Sequence, residues 1–122
     1  MERIIDKVNV KKARLGKSKM TSGDAYRITL SYNGKKVWFV FNDNYLNNSS
    51  KKDLLECLML DASAYENCKN LDDFIRKFGY SQQKANGLKA YNGCKKQSDR
   101  LQKLFTLNEQ QQLQEELEES WC

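Results

Sequence analysis

Histidine and proline are both absent from the 122 residues. Without histidine, the side chain that most readily exchanges a proton near neutral pH is missing. The zinc sites that combine histidine with cysteine are excluded as well. The absence of proline fits a helix-rich second half with no rigid linker. Apolar runs are short, none approaching the length of a bilayer span, and no signal-peptide pattern opens the chain, so a cytoplasmic protein without membrane contact is expected. Cys57, Cys68, Cys94 and Cys122 lie far apart with no C-x-x-C pair. They are expected as free thiols, Cys57 and Cys94 packing as small apolar residues and Cys122 most open to oxidation between molecules. Neither a glycine-rich phosphate loop nor a G-x-S-x-G elbow occurs.

Catalysis is therefore left with carboxylates: Asp43, Asp61, Glu66, Asp72 and Asp73. The last two are explained by the positive end of a helix dipole. A two-carboxylate or metal-dependent site around Asp43 and Asp61 is conceivable, but the expectation is a protein that binds rather than catalyses, with no metal and no cofactor.

The clearest positive signal is Ala25 to Asn42, two alternating runs joined by Asn33-Gly34. Asn-Gly accepts the two positive φ angles of a type I′ turn, which predicts a β-hairpin. A two-residue loop there pairs Leu30 with Val37, Ile28 with Phe39 and Tyr26 with Phe41, so those six share one apolar face. Arg27, Thr29, Ser31 and Lys36 take the other face, with Trp38 and Val40 as exceptions. Arg3 to Leu15 alternates around Ile4, Val8 and Val10, which predicts a third strand, and the polar, glycine-punctuated stretch from Arg14 to Asp24 reads as a mobile loop.

Helical spacing follows. Ser50 and Asp53 form an acidic capping box for a helix over about Lys51–Asn67, with Leu54, Leu55, Leu58, Ala62 and Tyr65 on its apolar side. Asn70 caps a short helix whose buried face is Leu71, Phe74, Ile75 and Phe78, with Gly79 at C′ and Tyr80 folding back. A third helix is expected from Ser81 to about Phe105. Each glycine of its Asn86-Gly87 and Asn92-Gly93 pairs costs about 1 kcal/mol in a helix, so the glycines allow close packing against the sheet, or the helix starts later or kinks. Thr106 and Glu109 form a capping box for a last helix carrying Leu113, Leu117 and Trp121. The fold class is thus α+β: a three-stranded antiparallel sheet (residues 1–48) and about four helices (49–122), in a single domain whose helices pack on the six-residue apolar face.

Charge is uneven. Residues 1–20 hold seven basic and two acidic side chains, residues 83–105 six and one, and residues 106–122 five glutamates and no base. The candidate binding residues are Lys89, Lys96, Arg100 and Lys103, gathered along one side of the third helix, with Lys95 nearby. Arg14, Lys17 and Lys19 in the loop and Trp38 as a stacking platform complete the set. A lysine-rich face opposite an apolar one is equally what any amphipathic surface helix presents. Trp38 is covered if the last helix lies over its face. Alternatively the acidic turn of Glu115, Glu116, Glu118 and Glu119 lies over the basic surface and competes with an anionic partner.

Four stretches carry a resemblance: Tyr32-Asn33-Gly34-Lys35 through Phe41-Asn42-Asp43, Leu60-Asp61-Ala62 with Tyr65-Glu66, Phe74 through Phe78-Gly79-Tyr80, and Cys94-Lys95-Lys96-Gln97 through Leu104-Phe105. Over about residues 25–105 the chain resembles small uncharacterised proteins of phages and mobile elements of Gram-positive bacteria. The resemblance implies an anti-defence factor in a bacterial cytoplasm, such as an anti-CRISPR inhibitor of a host Cas nuclease or another nucleic-acid-targeting complex. It also fits an accessory protein of phage DNA replication or recombination that binds DNA or RNA directly. Monomer and homodimer both remain open, the latter through the Leu113/Leu117/Trp121 helix.

Overall fold

A computed structural model describes residues 3–17, 24–41 and 51–119, the side chains of Phe41 and Glu119 excepted. Lys19, Asp43, Ser50, Trp121 and Cys122 lie outside the described residues, as does the middle of the expected loop. The element order is α1 (Ile4–Lys7), β1 (Asn9–Lys17), β2 (Asp24–Tyr32), β3 (Lys35–Phe41), α2 (Lys51–Glu66), α3 (Leu71–Lys77), α4 (Lys84–Leu104) and α5 (Leu107–Glu119). The strands form one antiparallel sheet in the order β1-β2-β3. The fold is α+β. Two compact units divide the chain: residues 1–56 with 102–122, and residues 57–101.

In the first unit, Asn33 (φ 51°) and Gly34 (φ 79°) both take positive φ, as a type I′ turn demands. The register follows from it: Leu30 faces Val37, Ile28 faces Phe39 and Tyr26 faces Phe41. Ile28, Leu30, Tyr32, Val37 and Phe39 are buried, and Tyr26 is half-buried at the end of the face. Leu54, Leu55, Leu104, Phe105, Leu113 and Leu117 are buried in the same unit. The Tyr32 and Phe105 rings lie 4.9 Å apart. The Tyr32 hydroxyl donates to Glu109 at 2.7 Å. That bond, then burial, pushes the phenol up to about 12. The Thr106–Glu109 capping box forms in both directions, at 2.9 and 3.2 Å.

The N-terminus departs from expectation. Ile4–Lys7 is a turn of helix, not strand, and β1 begins at Asn9. The cause lies far along the chain. Glu116 is buried and accepts from the backbone N–H groups of Ile4 (3.0 Å) and Ile5 (2.9 Å), satisfying donors that a strand would have left to a neighbour. The Lys51 ammonium donates to the Ile5 carbonyl at 3.0 Å. At its other end β1 continues to Lys17, through residues expected as loop. A bulge between Arg14 and Gly16, with Gly16 at φ 114°, absorbs the extra residue.

In the second unit, Asn70 caps α3 by accepting from the Asp73 N–H at 2.9 Å. The Tyr80 N–H bonds back to the Ile75 carbonyl at 2.9 Å across Gly79 (φ 75°), which closes a Schellman motif. The Tyr80 ring stacks parallel to Phe74 at 6.1 Å. Phe78, expected in the buried face, sits at the C-cap and is 50% exposed, its ring resting on Phe74 at 4.7 Å. The third helix starts at Lys84, not Ser81, and runs unbroken through both Asn-Gly pairs. A Cβ at Gly87 would lie 2.8 Å from the Tyr80 Cβ, so that glycine is there for close packing, against Tyr80 and Ile75 rather than the sheet. A Cβ at Gly93 would meet nothing within 4 Å.

Candidate nucleic-acid interface

The three candidate groups occupy different settings. On α4, Lys89, Lys95 and Lys96 are exposed within the second unit, and Lys103 is exposed within the first. Arg100 does not share that setting. It is half-buried, donates to the Gln97 side chain at 2.6 Å, and burial lowers its pKa. Gln97 is buried and hydrogen-bonds Asp61 in turn, so the guanidinium is part of an internal relay. Burial raises the pKa of Asp61, with the Gln97 bond opposing it. Burial also raises the Cys94 thiol, with smaller contributions from the charges of Asp61 and Cys68. Cys57, Cys68 and Cys94 are half-buried and form no disulfide among the described residues. Among the described residues, no group of three carboxylate or thiol side chains is placed to hold a metal ion.

Of the expected loop cations, Arg14 is on β1 and forms a paired contact with Asp24, at 3.0 and 3.2 Å. The pair holds the Asp24 carboxyl below its ordinary value and raises Arg14. Lys17 pairs in register with Asp24 and is exposed. Both cations are therefore partly answered by a neighbouring acid.

The remaining group is the outer face of the sheet. Side chains alternate along each strand, so register alone assigns its members. Three cross-strand rows result: Asn9, Ser31 and Lys36; Lys11, Thr29 and Trp38; Ala13, Arg27 and Val40. None of the nine is acidic. Lys11, Arg27 and Lys36 are exposed and take part in no ion pair among the described residues. Trp38 is 53% exposed and Val40 42%, so the last helix does not cover this face. Arg27 sits diagonally across from Trp38, its guanidinium carbon 4.7 Å from the ring centroid. A cation over an indole face is attracted there by the ring quadrupole, worth about 0.5–1 kcal/mol at an exposed site.

Sequence reading found Trp38 but selected its partners from runs of basic residues. Arg27 and Lys36 were placed on the face of Trp38, but neither they nor Lys11 were counted among the binding residues. Their signal was the two-residue period that places them beside the tryptophan. The acidic last helix likewise changes role in part, because Glu116 is spent inside the fold on α1. Leu113 and Leu117 are buried within the first unit and are not free to form a dimer seam.

A cavity of about 300 Å³ at the start of α3 is lined by Lys69, Asn70, Asp72, Asp73 and Arg76. Its central carboxylate is already engaged: Asp73 accepts from the Lys69 N–H and from Arg76 and Lys77, which holds it well below the usual carboxylate range. No helix among the described residues is long and apolar enough to cross a membrane. No protein-family model, curated protein or solved structure matches the chain.

Proposed function

We propose that this is a nucleic-acid-binding protein of a phage or mobile genetic element, acting in the bacterial cytoplasm by binding rather than by catalysis. One observation supports this reading above the others: nine outer-face positions carry an exposed tryptophan, no carboxylate and three exposed cations with no ion pair among the described residues. Such a surface attracts phosphates and offers a ring to a base. Binding to a labelled single-stranded oligonucleotide tests it. Engagement of about three phosphates gives a log–log salt slope near −2 for a single strand. Lys11→Glu with Lys36→Glu then abolishes binding, whereas Lys89→Glu with Lys96→Glu on α4 leaves most of it. Loss through the α4 pair alone moves the interface to that helix, and no binding at low salt ends the proposal.

An anti-CRISPR inhibitor, occupying a surface or an RNA/DNA-contacting channel of a Cas nuclease complex, is the second reading. The four resembling stretches favour it. The net charge of +5 argues against mimicry of DNA as its means. It requires the nuclease complex for binding, and the oligonucleotide experiment separates the two.

A further inference from the structure

We infer that the outer sheet face takes an unpaired single strand, DNA or RNA, with one base stacked on Trp38, and does not take a duplex. This rests on the nucleic-acid reading above and adds the form of the ligand. More than half of the Trp38 side chain stays exposed with the Arg27 guanidinium already centred 4.7 Å from the ring. Its exposed aromatic surface gains from a base by stacking only if that base offers its own π-face. In a duplex those faces are stacked inside, and a protein meets only base edges and phosphates. Three cations alone form a weak polyanion site, so the stack must supply much of the affinity.

The neighbours of Trp38 fit the same ligand. Arg27 holds its positive charge over the ring at 4.7 Å, within reach of the phosphate next to a base stacked on the ring's other face. Lys11 stands in the same cross-strand row as Trp38, with Thr29 between them, and Lys36 stands in the adjoining row beside Ser31. Thr29 and Ser31 are short beside Lys11, Trp38 and Lys36, which leaves room for a backbone to cross the strands. Val40 continues the apolar surface along β3. Stacking on an aromatic ring tolerates any base, so little sequence preference is expected.

The test compares binding of an unstructured single strand, DNA and RNA in separate arms, with a duplex of equal length at moderate salt. Wild-type protein, Trp38→Ala and Trp38→Phe are used, each checked by circular dichroism. The inference expects the single strand to bind at least tenfold tighter than the duplex. Trp38→Ala should weaken the single strand by about five- to a hundredfold, leave the duplex unchanged, and be largely rescued by Trp38→Phe. Equal binding of both forms, indifferent to Trp38→Ala but lost on charge reversal of Lys11 and Lys36, overturns the stacking inference while the nucleic-acid reading stands. Binding of neither form at low salt overturns both.

Discussion

The two faces of one sheet, built from the same strands, carry opposite chemistries. Inward, Ile28, Leu30, Tyr32, Val37 and Phe39 are buried, and the register that aligns them follows from two positive φ angles at Asn33 and Gly34. Outward, Trp38 is as large an apolar residue as any of these, yet it is half in solvent beside Arg27. The inner aromatics are core, whereas Trp38 leaves half its surface open beside a cation.

Truncation breaks this comparison most sharply. Phe39→Ala removes a buried ring and should cost about 3–5 kcal/mol in urea unfolding. Trp38→Ala, on the adjacent residue, should cost no more than about 1 kcal/mol, the scale of an exposed cation–π contact. Equal costs would mean that both faces are core.

Glu116 tests whether an outward-looking sequence feature has been drawn inward. Glu116→Ala strands the Ile4 and Ile5 N–H groups and should destabilise by about 2–3 kcal/mol, read as a fall in urea midpoint. The native carboxyl is held below its ordinary value of 4.5: burial opposes this, and the Ile5, Ile4 and Gln112 hydrogen bonds outweigh it. Its contribution is therefore complete above that value and is lost as pH falls through the lower native pKa. Acid loss of stability should be shallower in Glu116→Gln than in the wild type.

The same inside–outside contrast recurs on α4 with smaller effects. Gly87→Ala forces a methyl to 2.8 Å from the Tyr80 Cβ and should destabilise by about 1–3 kcal/mol. Gly93→Ala has open space and should stabilise by about 0.5–1 kcal/mol. Thermal melts of the two variants moving in the same direction would refute the close approach at Gly87.

Elements whose causes are local were legible in the chain: the hairpin from Asn33-Gly34, the α3 cap and stop from Asn70 and Gly79, the capping box from Thr106 and Glu109. What escaped depends on partners distant in sequence. Ile4–Lys7 is helical because of Glu116, over a hundred residues away, and Arg100 leaves the solvated stripe because Gln97 and burial claim it. The outer face was half legible. Alternation placed Arg27 and Lys36 beside Trp38, but the basic stripe on α4 drew the binding assignment away from them and from Lys11.

Emission from Trp38 in a Trp121→Phe background, titrated with a single-stranded oligonucleotide, tests most directly whether the open face is the contact surface. The account predicts saturable quenching with the same midpoint as binding measured by anisotropy. Saturable binding that leaves Trp38 emission unchanged would contradict it.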